Sequence, residues 1–308
     1  MFNNSTCSPA YSPDSHCRLD DVTRNGSCAL RALTLSTSII VAILFPVAVT
    51  GNALIMAAIW RNRSLRTPSY IILLGLAFTD LCTGFVTQPL HVAIEWILLR
   101  NPQEIEKLQS FLLYARPLVT VCGSYFVFLS IVLVTLMSIE RWLHMARRYL
   151  LTVRRCCIIV STVCVLLIPV VVFNGNGLGY KFAFSLLSVC LITTSVAYFN
   201  VYRIIRRHQQ QIQPQNESSE NCGQPAINVA RYKKSVFTVL YIVAAFYITY
   251  VPSVINLGFY IFYYRNCALE WAEKIAVMFV FLSSSVNPLI YLWRMKEIRN
   301  EVKRLFNL

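Results

Sequence analysis

Charge is scarce in this sequence. Only 14% of its 308 residues are Asp, Glu, Lys or Arg, against roughly 25% in an ordinary soluble domain. With 56% of the residues hydrophobic, that shortage excludes a globule with a normal solvated surface. Acid is scarcer still: 14 acidic residues stand against 28 basic ones, a net charge of +14. Such basicity often marks a nucleic-acid binder. Here the basic residues alternate with long uncharged runs, so no nucleic-acid partner is expected. Alternating segments of ~10 residues are missing too, which excludes a membrane barrel. There is no GxSxG, no P-loop and no HExxH, and His16, His91, His144 and His208 are scattered. No enzyme and no metal cluster of ligand spacing is expected. No internal repeat is visible, which weakens a transporter built of symmetric halves.

What is present is seven long runs, 32–60, 67–94, 117–139, 156–180, 182–202, 235–264 and 275–293, and Asp80 is their one charged residue. A helix needs about 20 apolar residues to cross the ~30 Å hydrocarbon core, so each run is long enough. The expected fold is an all-α membrane protein, a seven-helix bundle plus a short amphipathic juxtamembrane helix. Its parts are an extracellular head at 1–31, a membrane domain at 32–293 and a cytoplasmic helix and tail at 294–308. The spans fall at about 32–60, 67–97, 110–144, 153–173, 181–207, 231–263 and 270–293. The opening MFNNSTCSPA has neither a basic n-region nor an apolar core, so the first span is expected to act as its own insertion signal.

Cytoplasmic loops carry an excess of Lys and Arg. With the N-terminus outside, the inner segments hold 19 of the 28 basic residues. The sequons at Asn3, Asn4 and Asn25 all lie in the head, where glycosylation requires an external location. All five Trp (60, 96, 142, 271, 293) fall at span ends, as an interfacial aromatic belt expects. The expected location is the plasma membrane, multi-pass, with lipid as a partner. Cys7, Cys17, Cys28 and Cys267 are external, where disulfides survive and four cysteines allow three pairings. Position favours Cys28–Cys267, and the other pairings stay open.

The stretch 208–230 is rich in Gln, Asn and Ser, which reads as a disordered loop. Residues 174–180 (NGNGLGY) read as a bare turn. In the tail, Met295, Ile298, Val302 and Leu305 share one helical stripe with Arg299, Lys303 and Arg304 off it, an amphipathic helix for the inner leaflet. A frayed basic tail is the alternative.

A carboxylate at the bilayer centre costs about 2.5–3.5 kcal/mol, so Asp80 needs partners facing the bundle interior. Asn52, Ser130, Ser283 and Asn287 are the candidates. Together they make a pocket for a monovalent cation, or a hydrogen-bond cluster with Asp80 protonated and no ion.

Several fragments then fall one per span in a specific order. They are Gly51-Asn52, Leu76-Ala77-Phe78-Thr79-Asp80, Glu140-Arg141-Trp142, Tyr198, Phe246-Tyr247-Ile248-Thr249-Tyr250-Val251-Pro252 and Asn287-Pro288-Leu289-Ile290-Tyr291. Over its membrane portion the chain resembles rhodopsin-like (class A) G-protein-coupled receptors. The resemblance implies that Arg141 is a switch arginine, held by Glu140 at rest and released to a heterotrimeric G protein. Tyr198 and Tyr291 would swing inward to it. Phe246, Tyr250 and Pro252 would form the switch of span six, and Asn287, Pro288 and Tyr291 the hinge of span seven. Asp80 and Ser130 would hold a sodium ion as allosteric modulator, with no cofactor required. The runner-up reading is a small transporter or channel using Asp80 and Asn287 as a pathway site.

The chain departs from that family at several points. Arg116 stands where a disulfide cysteine is usual, and 174–180 has no Cys. Span four lacks its Trp, span five lacks its Pro, Tyr250 replaces Trp, and Trp142 replaces Tyr. These departures are similar to the melanocortin, cannabinoid, lysophospholipid and adenosine branch. Gly123 stands where amine receptors carry Asp, and Phe281 where opsins carry the retinal Lys, so neither an amine nor retinal is expected. The remaining candidates for an extracellular ligand's cavity are Gln88, His91, Glu95, Arg116, Thr120, Ser124, Val127, Tyr250, Ser253, Val254, Asn256, Glu273, Val277 and Met278, beside Gly123 and Phe281. His91 has the alternative of capping a local carbonyl. Tyr232 stands where an acid would lock span six to Arg141, which leaves Arg141 on Glu140 alone and implies basal signalling. The segment 294–308 has no Ser, Thr or Cys, so arrestin recruitment is expected to be weak and to depend on Ser218 and Ser219.

Overall fold

The structure is a computed structural model that describes residues 24–146, 151–172, 177–217, 225–262 and 267–306. Asn3, Asn4, Cys7, Cys17, Ser218 and Ser219 lie outside the described residues. The side chains of Asn25, Cys28, Tyr232 and Cys267 lie outside them too, and with them the Cys28–Cys267 pairing.

The described chain is helical and has no strand. Its first rod is α1 (Arg24–Arg61). The second is α2 (Pro68–Cys82), a π-turn at Thr83–Thr87 and α3 (Gln88–Leu98) in one line. After the short α4 (Pro102–Lys107) come α5 (Gln109–Met145), α6 (Val153–Val172), α7 (Gly177–Glu217), α8 (Pro225–Phe262) and α9 (Cys267–Arg294). The last is α10 (Lys296–Leu305). Central in the bundle, α5 packs against α2, α6 and α7, while α9 closes the ring between α8 and α1.

Local chemistry explains the breaks. Thr67 is extended and Pro68 occupies the first helical turn of α2, where a missing N–H costs nothing. Pro89 follows the π-turn, and its absent donor accounts for the local widening of the helix. Met295 is extended, with φ −96° and ψ 101°, which turns α10 away from α9.

Polar residues are buried and large apolar ones face outward. Among the described residues six helices are long and apolar enough to cross a membrane, and in α1 only 28% of the most apolar window is buried. Ile43, Val165, Leu166, Ile192 and Phe199 are exposed on the outer surface. Water would penalise that surface and lipid does not. In the main core Ile55, Leu73, Leu76, Leu133 and Ile298 are almost wholly enclosed.

Three expectations are corrected. Helix α1 starts at Arg24, inside the stretch read as a polar head. Residues 208–230 are mostly not an irregular loop: α7 runs on to Glu217 and α8 starts at Pro225. Extending a formed helix is far cheaper than nucleating one, so two long spans carry polar sequence along with them. The stripe of α10 does not rest on lipid alone. Met295, Ile298 and Val302 pack on the main core, with Ile298 fully buried.

Gly51 marks the closest approach of α1 and α9. A Cβ built there would meet Pro288 Cβ at 2.8 Å and Cγ at 2.9 Å, and a proline ring cannot rotate away. Gly51→Ala is therefore expected to force the two helices apart and cost about 1–3 kcal/mol, the usual range for overpacking. A lower thermal midpoint of the purified protein checks this, and an unchanged midpoint contradicts it.

Candidate functional site

The centre of the site is Asp80, fully buried on α2. Its Oδ1 accepts hydrogen bonds from Ser284 Oγ at 3.0 Å and Ser130 Oγ at 3.3 Å. Its Oδ2 accepts one from Asn287 Nδ2 at 2.9 Å. Ser130 also pairs with Thr79 at 2.7 Å. One carboxylate thereby ties α2, α5 and α9 together. A buried charge is costly unless it is bonded in this way.

Ser284 is a residue that sequence reasoning missed. Consecutive helical residues point about 100° apart, so the run Ser283-Ser284-Ser285 serves three neighbours. Ser283 shares a hydrogen bond with the Tyr250 hydroxyl at 3.1 Å. Ser284 reaches Asp80, and Ser285 donates to the Leu44 carbonyl at 2.9 Å. Three serines in a row were a visible signal; which of them met the acid was not. Ser283 is thus corrected out of the Asp80 cluster.

Asn52 is corrected as well. Its Nδ2 donates to the carbonyl of Ser284 at 3.0 Å and of Ala48 at 2.8 Å, not to Asp80. Pro288 has no N–H for the Ser284 carbonyl four residues earlier. Asn52 supplies that missing donor, while Gly51 makes room for the ring.

Beside this cluster lies a cavity of about 10 Å³, lined by Thr249, Tyr250, Ser283, Asn287 and Tyr291 among others. That is room for about one water. Tyr250 and Phe246 are buried here with ring centroids 5.0 Å apart, and Pro252 lies one half-turn on in α8.

At the inner end, Glu140 is buried and accepts a hydrogen bond from Ser69 Oγ on α2 at 2.6 Å. Arg141 makes no ion pair with any described residue. Its expected restraint by Glu140 is therefore corrected. Adjacent residues on a helix do not face each other, and Ser69 lies across the gap. Arg141 instead lies within electrostatic range of Tyr70 and Tyr291, and Tyr291 within range of Tyr198. Tyr198 and Tyr291 are both buried. The Tyr198 hydroxyl has no hydrogen-bond partner among the described residues.

The outer half is partly assembled. The π-turn aims Gln88, His91 and Glu95 at α9. Gln88 Nε2 donates to the Phe281 carbonyl at 3.1 Å. His91 packs edge-on against the Phe281 ring at 5.1 Å, rather than capping a carbonyl. Lys274 Nζ pairs with Glu95 Oε2 at 2.5 Å. Lys274 was missed in favour of its neighbour Glu273, which is exposed. Arg116 and Thr120 are exposed too, and Thr120 Oγ1 donates to the Arg116 carbonyl of its own helix. Gly123 is buried, where a Cβ would meet Thr87 Cγ2 at 3.0 Å. Ser253 donates to the Ala276 carbonyl at 3.5 Å, and Asn256 Oδ1 is buried without a described partner. Ser124 is half-buried. Val127 and Val254 pack on the main core, and Val277 and Met278 pack with Phe281.

Residues 51–178 match the sequence model of the 7 transmembrane receptor (rhodopsin family). Neuromedin-U receptor 2 of Mus musculus is 27% identical, over 84% of this chain and 72% of its own length. The Rattus norvegicus protein of the same name is 26% identical over 84% and 72%. That of Homo sapiens is 26% identical over 83% and 68%. None of these three relatives bears a name from the melanocortin, cannabinoid, lysophospholipid or adenosine branch, and none is a transporter or channel. With the ordered motifs placed on one helix bundle, the chain is similar to the rhodopsin-like (class A) G-protein-coupled receptors, membrane receptors that pass a signal to a heterotrimeric G protein.

Proposed function

We propose that this receptor lies in the plasma membrane with its N-terminus outside, answers a peptide ligand and signals at a basal level without it. The peptide class is carried over from relatives named for neuromedin-U, at 26–27% identity. The Glu95–Lys274 pair at the outer end is a polar anchor of the kind a peptide amide or charged terminus engages. Orientation follows from the basic excess of the inner segments and from the head sequons. Cysteine-accessibility mapping that found 208–230 exposed outside the cell would overturn it.

One observation carries the basal reading: Arg141 has no carboxylate partner among the described residues and stands within range of Tyr291. A switch arginine without its acid is already available to a G-protein helix. Moving a two-state switch from 1:99 to 99:1 takes ~5.5 kcal/mol, and one partly solvated pair supplies a fraction of that. Basal output is thus partial, and ligand raises it.

The Asp80 cluster is suited to a sodium ion that favours the resting arrangement. Asp80, Ser130 and Ser284 offer a carboxylate and two hydroxyls, the hard oxygen donors that such cations take. Asn52 and Ser283 would be second neighbours of that ion. Arrestin recruitment is weak and uses Ser218 and Ser219.

Three outcomes test this reading. Arg141→Ala is expected to cut basal nucleotide exchange about tenfold or more at matched surface expression. Wild-type exchange no higher than in mock membranes contradicts the basal reading. Sodium chloride is expected to raise the thermal midpoint above that in choline chloride, and Asp80→Asn to remove the difference. Ser218→Ala with Ser219→Ala is expected to abolish ligand-driven arrestin recruitment in a proximity assay, and strong surviving recruitment would refute that route.

A further inference from the structure

Glu140 and Arg141 are adjacent on α5, and helix geometry turns their side chains about 100° apart. For Glu140 to pair with Arg141, both side chains must bend back toward each other. A donor on a neighbouring helix decides whether they do. That donor is Ser69. Extended Thr67 and Pro68 in the first turn start α2 immediately before it, which places its hydroxyl at the very end of the helix. Ser69 Oγ donates to Glu140 Oε2 at 2.6 Å, the short length of a charge-assisted bond.

The rest of the carboxylate is also provided for. A cleft of about 300 Å³ opens beside it, lined by Thr67, Ser69, Glu140, His144 and Leu151 among others. Its size admits several waters. Water in that cleft can bond the rest of the carboxylate, although the Glu140 side chain is otherwise enclosed. Arg141 lies within electrostatic range of Tyr70 and Tyr291 and makes no ion pair with a described residue.

We infer that Ser69 is a positioning residue of the switch: its hydroxyl holds Glu140 on α2 and away from Arg141, and so sets the fraction of receptor whose arginine is free for the G protein. This rests on the reading of Arg141 as the coupling group. Ser69 touches neither ligand nor G protein in this role and acts only through Glu140. Removing the hydroxyl returns Glu140 to Arg141 and closes the switch.

The experiment is a double-mutant cycle on the full-length receptor in lipid nanodiscs. It reads affinity for nucleotide-free heterotrimeric G protein together with basal nucleotide exchange. Ser69→Ala is expected to weaken both by about fivefold to tenfold, the scale of one hydrogen bond. Ser69→Thr, which keeps the hydroxyl, is expected to stay within about twofold of wild type on the same scale. In the Glu140→Gln background the neutral side chain no longer competes for Arg141, so adding Ser69→Ala is expected to change neither readout. No effect of Ser69→Ala, or an equal loss in both backgrounds, overturns the proposal. Arg141→Ala separates the two levels. If it leaves G-protein affinity intact, the coupling reading fails. If it abolishes affinity while Ser69→Ala does nothing, only the role of Ser69 fails.

Discussion

The constraint on which the bundle depends is the burial of the Asp80 carboxylate among lipid-embedded helices. Lipid offers no hydrogen bonds, so every donor must come from another helix. Ser130 on α5 and Ser284 and Asn287 on α9 provide them. Three rods are thereby held in one register about a group that no rearrangement can leave unbonded. Apolar packing around it has no such specificity, because an aliphatic side chain gains little by choosing protein over lipid.

The inner end of the bundle follows from that register. Pro288 lies one residue beyond Asn287, and its ring fits because Gly51 has no side chain. The carbonyl that Pro288 leaves open is taken by Asn52. A weak point in α9 is thus tolerated, with its loose groups satisfied from α1. One turn further on, Tyr291 is carried inward to the neighbourhood of Tyr198 and Arg141. At the same level α10 is tied down, with Asn62 donating to Glu301 at 2.9 Å and Ile298 in the core. The arginine lies within electrostatic range of Tyr291, and the acid beside it in the chain is already engaged by Ser69.

The candidate site was legible only in part, and the errors share a cause. Asp80, Ser130 and Asn287 were readable because a lone acid in a lipid-length run demands polar partners on other runs. Ser283 and Asn52 were chosen with them because they are polar and at similar depth. Depth does not specify which way a helix is rotated. A one-residue step moves a side chain by about 100°, enough to exchange Ser284 for Ser283 or Lys274 for Glu273. The Glu140–Arg141 pair, which the family resemblance implied, is not formed, because Ser69 on a neighbouring helix takes the acid.

Composition and run length alone determined that the protein is a helical membrane bundle, since uncharged stretches of that length have few other stable forms. The ordered motifs alone pointed to the receptor family that the chain is similar to. Only the tertiary structure decided who bonds whom: Ser284 on the buried acid, Asn52 on the carbonyl opened by proline, Ser69 on Glu140. Those choices depend on the rotation and approach of whole helices, which many weak contacts set together and no short stretch of residues encodes.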